Sequence, residues 1–321
     1  MTRFLIPLLV SIAASGPLSA NRQTPFRSSA DGVYVDVSVR DGRRPVAGLT
    51  DRDFQIWDNG VSQHVDAAEV ATIGINLTVV MDLSGSASPY APWLLGGVRD
   101  VRDMLSDADR PELITVGRHI RLSTAPLEDA LKLSPPLIGD GGSHLFDAIT
   151  AACMKETEVG RRHLVVVFTD GLDTRSAIPS AIRQDVLRHS NAVVEVFAIS
   201  TRGRTSSVYT QYGTPGSPSR DPLSARDYGS APTQAPRREA VGDFDHVLTD
   251  ITDASAGRFH DMRSGDSPAE ALGRTLELFR HHYILRFRPS GVTSGGWHTL
   301  RVSVAQGSYE VIARKGYEGS K

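Results

Sequence analysis

From Val33 to Val70 the hydrophobic positions recur with period two. Val33, Val35, Val37 and Val39 alternate with Tyr34, Asp36 and Ser38, which predicts a half-buried strand, because successive side chains on a strand face opposite sides. Asp41-Gly42 marks a turn, and Phe54-Gln55-Ile56-Trp57 reads as a second short strand. Asp58-Asn59-Gly60 then offers hairpin chemistry, since Asn and Gly tolerate positive φ. The same texture returns at the far end, where residues 283–288, 297–305 and 309–314 read as strands separated by Gly-rich turns. Neither end holds enough strands for a sheet that is stable alone. The economical solution is one β-sandwich built from residues 31–72 and 283–317, with residues 73–282 inserted into it.

Inside that insert, strands and helices alternate. Residues 75–81 and 164–168 are continuous apolar runs, 193–199 forms a third strand and 258–262 a last one. Residues 112–116 and 120–122 read as a short antiparallel pair. Helical stretches fall at 92–105, 128–133, 144–158, 178–189, 244–255 and 268–281. This order predicts an α/β, Rossmann-like doubly wound domain with a mostly parallel sheet covered on both faces. Residues 201–240 break it with a run of Ser, Thr, Gly, Pro and Arg lacking periodicity. Such a composition buries little apolar surface and predicts a disordered insertion.

Residues 1–20 combine Arg3, an apolar core from Phe4 to Ala14 and small residues ending at Ser19-Ala20, the make-up of an export signal. The run is short for a bilayer span, and Pro7 weakens it as a helix. No later stretch approaches 18 consecutive apolar residues, so no further membrane span is expected. The protein is therefore read as exported, whether periplasmic, cell-surface or secreted. At 321 residues the chain has room for about two domains. Its 35 Lys+Arg against 37 Asp+Glu leave a net charge of -2, which gives no electrostatic footprint for nucleic acid. The single cysteine, Cys153, excludes an internal disulfide and a cysteine metal cluster. Set in the run Ala-Ile-Thr-Ala-Ala-Cys-Met, it reads as a buried, inert thiol.

Candidate chemistry concentrates where apolar strands end. Asp82-Leu83-Ser84-Gly85-Ser86 directly follows strand 75–81, and ligands of open α/β sheets bind at the carboxyl ends of strands. The D-x-S-x-S spacing puts three oxygen side chains on one side of an extended turn. Strand 164–168 runs into Thr169-Asp170-Gly171, carrying a second carboxylate to the same edge. Gly141-Gly142-Ser143 precedes a helix and adds a third hydroxyl. Asp82, Ser84, Ser86, Ser143 and Asp170 are all hard oxygen donors. They suit Mg²⁺, with Mn²⁺ or Ca²⁺ as alternatives, and offer little to Zn²⁺ or Cu⁺. Asp173 reads as a loop hydrogen-bonding residue and Asp147 as favourable to its helix dipole. His281-His282 ends a helix without the i, i+4 geometry for chelation and reads as solvated or locally bonded. No G-x-S-x-G, H-E-x-x-H, P-loop or G-x-G-x-x-G occurs, and no enzymatic activity is expected.

The five positions also carry a resemblance. Across roughly residues 73–282 the sequence resembles the von Willebrand factor type A (VWA) domain, whose metal-ion-dependent adhesion site has the pattern D-x-S-x-S, then Thr, then Asp. Asp82, Ser84, Ser86 and Asp170 match it, and Ser143 stands where that family usually has Thr. The flanks, VSVRDGRRPVAGLTDRDFQIWDNG near the start and YILRFRPS through VIARKGYEG near the end, are similar to exported bacterial VWFA-related proteins, a group best known from Acidobacteria. The resemblance implies an ion held directly by two serines, with carboxylates acting largely through water and one coordination position open. It further implies a partner protein that fills that position with an Asp or Glu carboxylate. The rival expectations are an envelope-assembly scaffold in which the ion only stabilises loops, and a metal-assisted hydrolase.

Overall fold

Period-two and continuous apolar patterns sort the chain into two kinds of sheet. The structure is a computed structural model that describes residues 32–71, 73–123, 139, 141–156, 161–199, 244–262 and 266–319. Segments 1–20, 128–133 and 201–240, on which three of the sequence expectations fall, lie outside those residues. The first strands are β1 (Val33–Asp41), β2 (Arg44–Pro45), β3 (Phe54–Asp58), β4 (Val61–Gln63) and β5 (Val65–Val70). The middle of the chain contributes β6 (Ile75–Asp82), β7 (Arg110–Val116), β8 (Ile120–Ser123), β9 (Arg162–Thr169), β10 (Ala192–Ile199) and β11 (Phe259–Met262). The last are β12 (Tyr283–Phe287), β13 (Gly296–Val304), β14 (Glu310–Ala313) and β15 (Gly316–Gly319).

The middle strands form one sheet in the order β11-β10-β9-β6-β7-β8. All its neighbours run parallel except β8, which returns antiparallel to β7. Every residue of β6, β9 and β10 is buried, as expected for strands covered on both faces. One face packs on Leu94 of α1 (Ala91–Asp100) and on Leu272 and Phe279 further along the chain. The other packs on Leu145, Phe146 and Ile149 of α2 (Leu145–Met154) and on Leu187 of α3 (Ser180–His189). Leu248 of α4 (Phe244–Ser255) joins that second face. Leu272 and Phe279 belong to α5 (Pro268–Arg280), which Ser267 caps by accepting the Glu270 amide. Two helices are shorter than their patterns predict. Helix α2 stops at Met154 because Lys155 turns to extended backbone, and α1 gives way to a 3₁₀ turn over Val101–Met104. The result is a doubly wound, Rossmann-like α/β domain.

Strands from the two chain ends pair with one another. One antiparallel sheet runs β14-β1-β12-β5, with β2 beside β1, and a second runs β15-β13-β3-β4. Val35 faces Leu285 and Val39 faces Val311 in the first; Ile56 faces Val302 in the second. A single apolar cluster joins them, with Val33, Val35, Val37, Val39, Phe54, Ile56, Leu285 and Phe287 among its members. Strand β15 extends the fold past the boundary at 317, because Tyr317 turns inward and donates to Asp58 Oδ2 at 2.7 Å.

Strand β1 corrects one expectation. Its apolar face is buried as predicted, but so is the polar one: Asp36 is 2% exposed, Ser38 3% and Arg40 7%. The alternation marked two different buried environments rather than core and solvent. The polar face of β1 abuts the α/β domain, and Asp36 Oδ2 accepts from Arg162 Nε at 2.8 Å with Nη2 at 2.6 Å. His282 Nδ1 lies 2.6 Å from Asp36 Oδ1. Arg162 Nη1 donates to the Phe279 carbonyl at 2.5 Å, and its guanidinium stacks 3.6 Å over the Phe279 ring. Burial opposes the Asp36 charge, yet Arg162 and His282 hold its carboxyl below the ordinary range.

Asp36→Ala would leave the Arg162 charge buried without its carboxylate. It is expected to cost about 3–5 kcal/mol in urea unfolding. Because the folded-state pKa of Asp36 is lowered, its contribution is complete above the ordinary carboxylate range and fades as pH falls through the lowered value. Indistinguishable unfolding midpoints for variant and parent at neutral pH would show that the pair carries no such weight.

Candidate metal centre

The doubly wound order creates a switch point beside β6. The chain leaves β6 towards β7 on one side and later returns to β9 on the other, so loops diverge above the carboxyl ends of β6 and β9 and leave a crevice. Asp82 is the last residue of β6 and Asp170 follows the last residue of β9. Asp82 is 0% exposed. Its Oδ1 accepts the Ser84 amide at 3.0 Å, and its Oδ2 accepts from Thr169 Oγ1 at 2.9 Å and Ser143 Oγ at 3.4 Å. Ser84 Oγ and Ser86 Oγ are 3.4 Å apart, with Ser84 buried and Ser86 half-buried. The Gly85 amide donates to Gly141 O at 2.8 Å, which ties the D-x-S-x-S turn to the loop bearing Ser143.

Asp170 is buried as well, and its Oδ1 accepts the Leu172 amide at 3.1 Å. The backbone can reverse there because Gly171 takes φ +82, a conformation that side-chain-bearing residues rarely adopt. Asp82, Ser84, Ser86 and Ser143 thus form a connected set, and Asp170 is near enough to act on Asp82 electrostatically. Burial first, and the Asp170 carboxylate second, push the Asp82 carboxyl up to about 7, against the donors of Ser84 and Thr169.

This donor set fits a hard divalent cation. Two neighbouring buried carboxylates repel each other, one divalent ion balances both charges, and three hydroxyls supply neutral oxygen. Among the described residues no three His, Cys, Asp or Glu side chains converge as a ligand cluster; the site is hydroxyl-rich instead.

Two residues that the sequence reading did not select support the site. Thr169 holds Asp82 while its Oγ1 accepts the Gly171 amide at 2.9 Å. Thr174 Oγ1 accepts the Ser143 amide at 3.0 Å. Thr169 was detectable by its place between an apolar strand and Asp170; Thr174 had no signal beyond a polar run. Asp173 accepts the amides of Phe146, Arg175 and Ser176. Asp147 accepts those of Ala177 and Ile178, so it staples a loop in addition to sitting in the first turn of α2. Cys153 is buried, and burial pushes its thiol up to about 12. His281 bonds locally, to Glu277 O. His282 does not, because the fold brings Asp36 to it from 246 residues away.

No family model matches the sequence, and no curated protein matches it. Solved structures do. An aerotolerance-related membrane protein from Bacteroides fragilis, carrying multiple mutations to serines, shares 17% identity with TM-score 0.42, over 64% of this chain and 98% of its own. A von Willebrand factor type A protein from Catenulispora acidiphila shares 12% identity with TM-score 0.46, over 92% and 75%. The manganese-loaded TRAP protein of Plasmodium vivax shares 14% identity with TM-score 0.37, over 83% and 99%.

Mg²⁺ is expected to raise the melting temperature, since a ligand of the folded state alone stabilises it by mass action. Asp82→Ala and Ser84→Ala should abolish the rise. The raised Asp82 pKa sets the sign of the pH dependence. Without metal the fold favours the protonated carboxyl, so stability falls as pH rises from the ordinary carboxylate range to about 7. Metal competes with that proton, so the Mg²⁺ increment should be larger at about pH 8 than at about pH 5.5. Equal increments in thermal-shift measurements at the two pH values would disprove the coupling.

Proposed function

We propose that this protein is an exported, von Willebrand factor type A-like binding module that holds Mg²⁺ and engages a carboxylate of a partner protein. The observation that carries the reading is the buried pair Asp82 and Asp170 at the switch point, with Ser84, Ser143 and half-exposed Ser86 around it. Those five residues would hold the ion. When bound, the ion supplies a Lewis-acidic position for an incoming Asp or Glu carboxylate. Asp82 fixes the turn through the Ser84 amide, and Thr169 fixes Asp82. Ser86 lies at the solvent side of the set, where an approaching group arrives.

We read the site as one of binding rather than catalysis. Its carboxylates and hydroxyls are engaged with each other and with loop amides, an arrangement that positions oxygens rather than activating a nucleophile. Export rests on the composition of residues 1–20. Among the described residues no helix is long and apolar enough to cross a membrane.

The test is affinity capture of envelope and extracellular proteins on immobilised protein, with Mg²⁺ and again in EDTA, beside an Asp82→Ala control. Partners retained only with Mg²⁺ and only by the parent are expected. Identical capture in EDTA and on Asp82→Ala would refute the metal-dependent reading and leave the ion, at most, a loop stabiliser.

A further inference from the structure

The β-sandwich carries a cleft of about 410 Å³ where the edge strands of its two sheets meet. Strand β4 ends one sheet and β5 ends the other, and only His64 separates them along the chain. The volume falls within the range of small-molecule sites, about 300–1,000 Å³. Phe54 and Val65, both buried, make the apolar base of the cleft.

Its walls are fixed from behind. The Thr50 amide and hydroxyl donate to Asp53 Oδ2 at 2.7 and 2.9 Å, which holds the 3₁₀ turn Asp51–Asp53 and with it Asp51 and Arg52. Gln63 accepts the Ser290 amide at 2.9 Å and donates to the Ser290 carbonyl at 3.0 Å, which holds the step from β4 to β5. Trp57 stands between Arg301 of β13 and Ser62 of β4, its two cross-strand partners. The Arg301 guanidinium lies 3.9 Å over the indole ring and steadies it. Ser62 is too small to cover the ring from the other side, and both residues line the cleft.

The polar groups around that ring are unspent. Among the described residues, the side chains of Asp51, Arg52, Ser62 and His64 have no hydrogen-bond or ion-pair partner. Asp51 accepts, Arg52 donates, and Ser62 and His64 do both. An anion would use only the donors and a cation only the acceptors. A sugar uses all of them, because each hydroxyl both donates and accepts while the C–H face packs on an aromatic ring.

We propose that this cleft binds a carbohydrate chain, with one sugar ring stacked on Trp57 and its hydroxyls held by Asp51, Arg52 and His64. The inference stands apart from the metal centre, which belongs to the α/β domain.

The test titrates cellotetraose, chitotetraose, mannotetraose and tetragalacturonate into the full chain by isothermal titration calorimetry, in EDTA so that no ion contributes. At least one should bind saturably, with a Kd of about 1 mM or tighter. Trp57→Ala should weaken that sugar about tenfold or more. Because this change also strips Arg301 of its stacking partner, a second variant leaves the sheet intact: Asp51→Asn with Arg52→Gln, on the turn. It should weaken the same sugar about tenfold at an unchanged melting temperature. Absence of saturable binding by all four sugars would overturn the inference. So would a sugar whose affinity survives in either variant at an unchanged melting temperature, since it would bind elsewhere.

Discussion

Arg162 opens β9, the strand next to the switch point, with its guanidinium 1% exposed. A charge that deep persists only with a partner, and the partner, Asp36, comes from a different sheet 126 residues earlier. This contact joins the two halves of the molecule, beside Arg314 donating to the Leu187 carbonyl and Lys315 pairing with Asp253. It places the polar face of β1 against the α/β domain and draws in His282, where α5 hands the chain to β12. Replacing such a pair with apolar residues is often neutral or stabilising in other proteins. Its role here is better described as specificity: a two-pronged guanidinium–carboxylate contact has one geometry, whereas an apolar contact accepts several.

Strand β9 has a second polar cluster at its other end. Thr169 lies about 23 Å from Arg162 by the rise of an extended strand, with Leu164 to Phe168 fully buried in between. The two ends treat buried charge differently. At the first, protein supplies the counter-charge and Asp36 is held ionised. At the second, hydroxyls and amides surround two carboxylates, and the Asp82 carboxyl is pushed towards its neutral form. That contrast sets a charge-balanced structural pair apart from the proposed ion site.

Much of this was legible along the chain. The fully buried strands β6, β9 and β10 announce themselves as unbroken apolar runs, and an edge fed by such strands is where functional oxygens are to be sought. Asp82, Ser84 and Ser86 are recognisable because one turn carries all three. Ser143 and Asp170 are recognisable because each borders an element boundary. Pairing of the chain ends followed from a shortage argument, too few strands at either end to stand alone. Strand β15 escaped because Gly316 and Gly319 mask the pattern, and β4 because three residues are too few to show a period.

What the sequence determined by itself was therefore local: the period of each element, the turn chemistry, and the oxygen-only character of the donor set. These depend on neighbours in the chain. Tertiary structure decided which individual side chains distant in sequence come into contact. It buried both faces of β1, turned His282 from a helix-end residue into a partner of Asp36, and brought Thr169 and Thr174 onto Asp82 and Ser143. Periodicity reports that a face is covered, not what covers it, and a polar residue reads the same whether water or a buried counter-charge awaits it.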